Sequence, residues 1–345
     1  MSIARKNAVA AGEADGTRDL MKAVVQDRFG PPDTLQLVDA EKPEIGSGEV
    51  LIKVHAAAVN PYDWHMVRGD PHIARLMGGV GLTKPKTRIA GVDVAGEVQE
   101  VGADVHELRP GDQVLGFAGG AFAQYATADD ALIVPKPAGL SFEQAAALPL
   151  AAVTALHAIR DRGHVQPGQR VLVNGAAGGV GTFAVQIAAA LGAEVTGVCS
   201  ARNTDMVRSI GATHVVDYAS EDFTAGTIRY DVVLDNVGNR TLRDLRRAAT
   251  PTGTVIVNGG GSPGRIIGAV GSILRAAIVN LFVRQRITMV PTTWSREDLL
   301  AVTELVDNGT LRPIIDRTYP LADAAAGLRH VEDGHARGKV VITIP

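Results

Sequence analysis

The stretch V-N-P-Y-D-W-H, residues 59–65, has an amide, a phenol, a carboxylate, an indole and an imidazole within seven positions. Such groups could move protons at a substrate, and Tyr62, with a reference pKa of roughly 10, would be a hydrogen-bond donor at neutral pH. Local physics also predicts a helix start, because Asn60 is a favoured N-cap and Pro61 would follow at N1. Asp63 would then lie in the first turn, near the positive end of the helix dipole. A helix start does not exclude a catalytic role, so the choice between the two interpretations depends on the rest of the sequence.

A run of glycines follows a predicted buried strand in V-L-V-N-G-A-A-G-G-V-G-T-F-A-V-Q-I-A-A-A-L-G-A, residues 171–193. Glycines let the backbone turn tightly and let a pyrophosphate approach the amides at a helix N-terminus. The spacing G-x-x-G-x-x-G differs from the usual G-x-G-x-x-G, and a tight turn without a ligand is the alternative. The strand before it and the helix after it favour a dinucleotide site. The candidate cofactor-binding residues of this loop are Gly175, Ala177, Gly178, Gly179, Val180 and Gly181.

The end of the next predicted strand, in E-V-T-G-V-C-S-A-R-N, indicates which nicotinamide cofactor fits. An NAD site usually has an Asp or Glu there, which accepts hydrogen bonds from the ribose 2′-hydroxyl. This chain has Ser200 and Arg202 instead, and these side chains can donate to a 2′-phosphate or pair with it. A charge-assisted contact of this kind is worth roughly 1.5 to 3 kcal/mol. The sequence therefore predicts NADPH, and a solvated Arg202 in the first helical turn is the alternative.

The elements that must position these residues are of two kinds, and 345 residues are enough for two cores. From Met21 to about Leu140, short apolar runs broken by Gly and Pro indicate an all-β, barrel-like unit. Strands then alternate with helices, which is typical of a doubly wound parallel sheet. The tail could complete the first unit, and the cleft between the two would be the default place for a ligand. The predicted divisions are residues 1–20 as a flexible extension, 21–145 and 288–345 as the catalytic domain, and 146–287 as the nucleotide-binding domain.

The composition argues against several classes of function. The 34 basic and 37 acidic residues nearly cancel without a dense Lys/Arg block, so nucleic acid is not an expected partner. Cys199 is the only cysteine, which removes intramolecular disulfides and favours a reducing, cytoplasmic location. The apolar stretch 266–283 is nearly long enough to span a bilayer, but Arg275 lies at its centre. Because its apolar residues repeat at helical spacing, we predict a helix packed against protein rather than a membrane span.

Several motifs occur in one order over nearly the whole chain from residue 21 to residue 345. They are A-V-N-P-Y-D-W, A-G-V-D-V-A-G-E-V-Q-E-V-G, R-P-G-D-Q-V-L-G, A-A-L-P-L-A-A-V-T-A-L-H-A-I, N-G-A-A-G-G-V-G, G-V-C-S-A-R-N, V-V-D-Y and G-K-V-V-I-T-I. Together they resemble the zinc-independent, quinone oxidoreductase-like branch of the medium-chain dehydrogenase/reductase superfamily. The resemblance implies an α/β fold with a GroES-like β-barrel catalytic domain and a Rossmann domain, NADPH as the cofactor, and a homodimer. It also implies hydride transfer to a quinone, an enone or another small hydrophobic electrophile.

The same resemblance implies roles for site residues. Asn60 would border the nicotinamide end of the cleft, Tyr62 or a water would supply the proton donor, and Asp63 would hold the turn. These three are the candidate catalytic residues. Thr154 resembles the residue that contacts the nicotinamide amide, although a helix-interior Thr can instead bond to its own backbone. The other implied cofactor-binding residues are Tyr218 beside the adenosine phosphate, Asn236 and Val237 in the turn over the adenine ribose, Gly259 in the Gly-rich region beside the nicotinamide, and Lys339 near the phosphates. For Lys339, a solvated side chain before an edge strand is the alternative.

Zinc-dependent members of the superfamily are also similar to this chain, which raises the question of whether this chain has the ligands for their catalytic zinc. Their catalytic zinc needs a thiolate and an imidazole in two of the shared segments, where this chain offers Asn60 and the pair Val92-Asp93. His65 and His72 are stray candidates, for which surface or core roles are more ordinary. A closed set of nitrogen and sulfur ligands cannot be assembled from these residues, and we predict no metal.

Other functions compete with this interpretation. The segment G-G-S-P-G, residues 260–264, matches the G-x-S-x-G elbow of hydrolases, and Asp316 and His330 follow in the right order. The elbow needs the backbone N–H of the residue after Ser, and Pro263 has none. An alcohol dehydrogenase or carbonyl reductase of the same superfamily, or a cofactor-binding protein without turnover, is the alternative. The apolar residues 266–282 and the insertion around Leu76 to Leu82 favour a hydrophobic substrate.

Overall fold

The computed structural model describes residues 19–70, 81–258, 283–291 and 293–345. The predicted extension 1–20, apart from its last two residues, lies outside the described residues. So do the predicted helix 266–283 except for Val283, the segment 260–264, and residues 76–80 of the insertion.

The first sheet contains the strands on either side of V-N-P-Y-D-W-H. Its members are β3 (Glu49–Val59), β4 (Asp93–Val101), β5 (Gln113–Phe117), β6 (Tyr125–Asp129), β7 (Ile133–Pro135), β14 (Ile315–Pro320) and β15 (Lys339–Thr343). They pair in the order β14-β15-β3-β4-β5-β7, and β6 pairs with β3. Strands β1 (Leu20–Val25) and β2 (Gln36–Glu41) form a separate antiparallel pair. Because β15 pairs with β3, the tail of the chain completes this sheet.

The second sheet is entirely parallel. It contains β8 (Arg170–Asn174), β9 (Glu194–Cys199), β10 (His214–Asp217), β11 (Tyr230–Asp235), β12 (Ala249–Val257) and β13 (Arg286–Met289), in the order β10-β9-β8-β11-β12-β13. The chain order reverses between β8 and β11, and in open α/β sheets the crevice at such a point is where ligands bind. The structure has the predicted α/β architecture, a β-rich unit joined to a doubly wound parallel sheet.

The helices of the described residues lie between and around these sheets. They are α1 (Pro61–Arg68), α2 (Phe142–Ala146), α3 (Pro149–Leu156), α4 (Gly179–Ala190), α5 (Thr204–Ser209), α6 (Leu242–Ala248), α7 (Arg296–Asp307) and α8 (Ala324–Glu332). The sequence predicts one helical stretch over S-F-E-Q-A-A-A-L-P-L-A-A-V-T-A-L-H-A-I, but the structure divides it into α2 and α3. Pro149 begins α3 because proline suits the first turn of a helix and cannot continue one. A π-helical turn, His157–Arg162, follows α3 directly.

One of the buried hydrophobic clusters spans both sheets. Alanines of α2 and α3, such as Ala146 and Ala152, are fully buried in a cluster that reaches both β5 and β8. Several hydrogen bonds also link the two units, among them those from the backbone N–H of Gly338 to the carbonyl of Ala177 at 2.8 Å and from the backbone N–H of Leu150 to the Asp93 carboxylate at 3.0 Å. The glycine run therefore lies against the start of β15, and we retain the division into residues 1–20, 21–145, 146–287 and 288–345 as a proposal. Within the described residues, no helix is long and apolar enough to cross a membrane.

Candidate functional site

The glycine run forms the turn between β8 and α4, and its glycines have different physical roles. Gly175 has a φ of +78°, which favours glycine. A Cβ on Gly181 would lie 2.1 Å from the carbonyl oxygen of Gly175, so only glycine lets the helix pack on the turn. Gly178 is the N-cap of α4, and a Cβ there would meet nothing closer than 3.4 Å. The fold thus requires Gly175 and Gly181, whereas Gly178 leaves space at the helix N-terminus, where a phosphate would approach the backbone amides.

The residues predicted to select NADPH lie together at the carboxyl ends of β9 and β10. Ser200 and Arg202 follow β9, Tyr218 follows β10, and the Tyr218 N–H donates to the carbonyl of Cys199 at 3.2 Å. The Tyr218 side chain is half exposed, and the Arg202 guanidinium donates to the carbonyl of His335 at 3.0 Å. No carboxylate occurs at positions 200–203. These residues fit a 2′-phosphate, which a carboxylate would repel.

The turn after β11 lies beside the glycine run. A Cβ on Gly175 would lie 2.8 Å from a methyl group of Val237. The Asp235 carboxylate is buried and accepts hydrogen bonds from the Val237 N–H at 3.1 Å and from the Asn174 side chain at 2.8 Å. Asn174 and Asp235 were missed by the sequence analysis, although polar residues that end two adjacent buried strands could have indicated them. Gly259 lies outside the described residues.

A small cavity of about 50 Å³ lies at the carboxyl ends of β12 and β13. Helix α3 contributes Leu150 and Thr154, and the π-helical turn contributes His157. Asn258 follows β12, and Trp294 comes from the segment before α7. Asn258 donates to the side-chain oxygen of Asn236 at 2.8 Å, which links the cavity to the turn after β11. The Thr154 hydroxyl donates to the carbonyl of Leu150 at 2.6 Å. The predicted alternative for Thr154 is therefore observed, and the hydroxyl oxygen can still accept a hydrogen bond on the cavity side.

An aromatic group connects V-N-P-Y-D-W-H with this cavity. The Trp294 ring stacks on Phe117, with ring centroids 4.8 Å apart and an interplanar angle of 8°. Tyr62 contacts Trp294 edge to face at a centroid distance of 5.8 Å. Burial raises the pKa of Tyr62, and the nearby Asp63 raises it further, so the phenol is protonated at neutral pH. Sequence reasoning missed Trp294, because it is remote from Tyr62 in the chain and belongs to no motif.

A buried polar cluster lies beneath α1. The Lys339 ammonium donates to the side-chain oxygen of Asn60 and lies 3.5 Å from the Asp93 carboxylate. The Asn60 side-chain nitrogen donates to the same carboxylate at 2.9 Å. The Asp63 carboxylate accepts the backbone N–H of Asn60 at 2.7 Å, so Asp63 holds the first turn of α1. Burial raises the pKa of Asp63 to about 7, raises the pKa of Asp93 and lowers the pKa of Lys339.

The cluster corrects two of the predicted roles. Asn60 is only 2% exposed and uses both ends of its amide within the cluster, so it does not offer a free polar atom to a substrate. Lys339 is also 2% exposed, and its ammonium points to Asn60 and Asp93 rather than to a phosphate at the glycine run. The methylene chain of Lys339 does pass under that run, since its Cδ would lie 3.1 Å from a Cβ on Gly179. The solvated lysine considered as the alternative is wrong, because Lys339 is buried, and the predicted place of Lys339 near the phosphates stays a prediction.

The positions at which zinc-dependent relatives would bind their metal do not fit zinc here. The ammonium of Lys339 lies against both Asn60 and Asp93, and neither residue is a thiolate or an imidazole. One group of potential ligands among the described residues is His157, Asp161 and Asp298, beside the cavity. The Arg160 guanidinium already contacts Asp161 at 3.0 Å and Asp298 at 3.3 Å, so a cation is present at these carboxylates. His65 stacks on Trp64, and His72 lies outside the described residues.

The residues considered for a hydrolase are partly brought together. His330 and Asp316 form a hydrogen bond of 2.7 Å. The serine of the G-x-S-x-G match lies outside the described residues, and Pro263 still lacks the N–H that an oxyanion hole would need.

Known proteins resemble this chain over most of its length. Residues 46–138 match the alcohol dehydrogenase GroES-like domain family, and residues 210–342 match the zinc-binding dehydrogenase family. The mouse mitochondrial NAD(P)H oxidoreductase is 34% identical over 355 residues, which cover 94% of this chain and 89% of the relative. The quinone oxidoreductase from Coxiella burnetii has a similar structure, with a TM-score of 0.83, 33% identity and coverage of 95% of this chain and 100% of that chain. The Escherichia coli quinone oxidoreductase complexed with NADPH has a TM-score of 0.79, 26% identity and coverage of 93% and 99%.

Proposed function

The chain belongs to the quinone oxidoreductase-like branch of the medium-chain dehydrogenase/reductase superfamily, and we propose that it transfers hydride from NADPH to a quinone, an enone or another small hydrophobic electrophile. The mouse relative is named an NAD(P)H oxidoreductase, and the Escherichia coli quinone oxidoreductase is complexed with NADPH, which supports an oxidoreductase role with a nicotinamide cofactor. The observation that carries the choice of NADPH is the group of Ser200, Arg202 and Tyr218 at one edge of the parallel sheet, without a carboxylate at 200–203.

The residues around the cleft suit this reaction. NADPH, when bound, supplies the hydride, and the protein positions the reactants and excludes water. Reduction of a quinone or an enone leaves negative charge on oxygen, so a hydrogen-bond donor near that oxygen lowers the barrier. Tyr62 is the proposed donor, because its raised pKa keeps the phenol protonated. Asp63 and Asn60 act as positioning residues, since they hold the helix turn that presents Tyr62.

The cavity supports a flat, apolar substrate. Leu150, Val153 and Val290 line it, and Trp294 provides an aromatic wall that is supported from behind by Phe117. Aromatic faces favour planar partners through offset stacking. The apolar walls suit the ring of a quinone or a conjugated enone, and the polar lining residues Thr154, Asn258 and Thr293 can hydrogen-bond to the oxygens of such a substrate.

We also propose that catalysis needs no metal, because Asn60, Asp93 and the Lys339 ammonium take the place of a nitrogen and sulfur ligand set. A homodimer and a cytoplasmic location complete the proposal. The location rests on the single cysteine and a reducing compartment, and the mouse relative is named as mitochondrial.

The cofactor choice is tested by titrating the purified protein with NADPH and NADH. We expect tighter binding of NADPH, and Arg202→Asp should weaken NADPH binding by roughly tenfold to a hundredfold, since one charge-assisted contact is lost. Arg208→Asp is the matched control, because it makes the same charge change on the neighbouring exposed face of α5. An unchanged ratio of the two affinities in Arg202→Asp would move the 2′-phosphate site elsewhere.

A further inference from the structure

The segment that carries Trp294 is held in place by charged side chains from the first turn of α7. Trp294 lines the cavity and precedes Ser295, the N-cap of this helix. Its ring stacks on Phe117, which is fully buried. A stacked ring keeps its place only if the backbone that carries it is also held, so the contacts of this turn bear on the shape of the cavity.

Arg296, two residues after Trp294, binds the first sheet. Its Nη1 donates to the backbone carbonyls of Asp130 at 3.0 Å and Ile133 at 2.6 Å, beside β7. Its Nη2 donates to the Glu107 carboxylate at 2.6 Å. The Arg296 side chain is 26% exposed and that of Glu107 is 74% exposed, so the carbonyl contacts contribute more than the ion pair. The planar guanidinium fixes the direction of these contacts as well as their length.

Asp298, in the same turn, binds the segment that follows α3. Its carboxylate lies 3.0 Å from Nε2 of His157 and accepts a hydrogen bond from Arg160 at 3.3 Å. Both partners belong to the π-helical turn. The Ser295 hydroxyl also donates to this carboxylate at 2.6 Å and accepts the backbone N–H of Asp298 at 3.1 Å. The Asp298 side chain is only 14% exposed, so water competes little for these contacts.

The place of this turn in the chain explains why it is held from two sides. The chain passes from β13, an edge strand of the parallel sheet, to α7 through a short segment, and α7 packs on both α3 and β7. A short connection between two units can shift with either of them. Because Arg296 is bound to one unit and Asp298 to the other, Trp294 keeps its place relative to both.

We infer that Arg296 and Asp298 are positioning residues for the acceptor: they hold Trp294 against Phe117 and so fix one wall of the cavity. Neither side chain is among the described residues that line the cavity. Arg296 therefore acts through Trp294, and Asp298 acts through Trp294 and its partner His157. The inference rests on the proposed function for the identity of the acceptor.

Fluorine NMR of the full chain measures the environment of Trp294 directly. The chain has two tryptophans, so incorporation of 5-fluorotryptophan gives two signals, and Trp294→Phe assigns them. We expect Arg296→Met and Asp298→Asn each to shift or broaden the Trp294 signal, because the ring is no longer held in one position. The Trp64 signal should stay in place.

Two matched controls separate this effect from the loss of a charge. Arg312→Met removes an exposed arginine that likewise donates to a backbone carbonyl, that of Ser209 at 3.1 Å. Glu297→Gln removes an exposed carboxylate from the same turn of α7, so it makes the same charge change at the helix N-terminus as Asp298→Asn. Both controls should keep the wild-type signals.

Steady-state kinetics with 1,4-naphthoquinone test the consequence for the acceptor. We expect Arg296→Met and Asp298→Asn to raise KM for the quinone about fivefold or more, with kcat and the affinity for NADPH within about twofold of wild type. A variant that is only less stable would contain less folded enzyme, which lowers the apparent kcat and leaves KM unchanged. Arg296→Lys keeps a donor for one carbonyl and should raise KM less, and it serves as the test if Arg296→Met does not fold.

An unmoved Trp294 signal in both variants, or a KM that changes no more than in the controls, would overturn the inference and leave the proposed function standing. A wild-type protein that consumes no NADPH with any acceptor would instead overturn the proposed function. The fluorine signal would then decide by itself whether Arg296 and Asp298 hold Trp294.

Discussion

At the residue scale, the candidate site depends on side chains that are far apart in the chain. Ser200 and Arg202 could be identified from sequence, because they follow a strand in a fixed place relative to the glycine run. The role of Lys339 could not, since its partners Asn60 and Asp93 lie 279 and 246 positions away. A lysine before a strand looks solvated until the fold encloses it with a carboxylate. The candidate cofactor-binding residues could thus be identified from sequence, whereas the contacts between residues that are remote in the chain are seen only in the structure.

The raised pKa of Asp63 leads to a prediction about stability and pH. The carboxyl group has an ordinary pKa of 3.8, and burial raises it to about 7 in the folded state. The contribution of Asp63 to stability is therefore fully present below about pH 4 and is lost as the pH rises to about 7, because folding favours the protonated form. At pH 5 we expect the free energy of unfolding of Asp63→Asn to be equal to that of the wild type or lower. Between pH 5 and pH 8 the wild type should lose a few kcal/mol that the variant keeps, so the difference shifts in favour of the variant.

Urea unfolding of both proteins at pH 5 and pH 8 measures this difference. The isosteric Asn can still accept the Asn60 N–H, so the comparison isolates the charge. A stability difference that is the same at both pH values would show that Asp63 titrates as an ordinary surface carboxyl.

At the scale of elements, the turn from β8 to α4 combines structural and binding roles in neighbouring glycines. Strand and helix periodicity predicted this βα unit from sequence, because its apolar residues are continuous in the buried strand and helix. The break between α2 and α3 was not predicted, although Pro149 was the available signal. The π-helical turn His157–Arg162 had no local signal, because its Asp298 contact comes from α7.

Alanine at two glycines of this turn separates folding from binding. Gly178→Ala meets no atom closer than 3.4 Å, so we expect a folded protein whose new methyl group obstructs the helix N-terminus and weakens NADPH binding about tenfold or more. Gly181→Ala would bring its Cβ to 2.1 Å from a backbone oxygen, so we expect a lower melting temperature. Thermal unfolding and NADPH titration of both variants measure these effects. Normal NADPH affinity in Gly178→Ala would contradict a phosphate site at this helix.

In the molecule as a whole, the last residues of the chain link the first sheet to the glycine run. Strand β15 joins the first sheet, Gly338 bonds to the glycine run, and Lys339 lies within the buried cluster. The sequence indicated that the tail could complete the first unit. It could not show that the same strand connects the two sheets at the proposed cofactor site.

Removing the buried ammonium should therefore destabilise the whole molecule. Lys339→Met leaves Asp93 buried without its cation, and breaking such a pair costs about 3 to 5 kcal/mol. Lys22→Met is the matched control, because Lys22 and Asp39 form an ion pair of 2.8 Å at the surface, with both side chains about half exposed. We expect that change to cost at most about 1 kcal/mol. Equal urea midpoints for the two variants would rule out a structural role for Lys339.

Hydride transfer from NADPH without a metal is measured by the rate at which the protein consumes NADPH. The purified protein, first treated with a chelator to remove metal ions, would be mixed with NADPH and each member of a panel of quinones and enones. We predict loss of reduced-nicotinamide absorbance with at least one apolar acceptor, and slower consumption when NADH replaces NADPH. No consumption with any acceptor would contradict hydride transfer from NADPH, and activity that returns only when zinc is added would contradict a metal-free reaction.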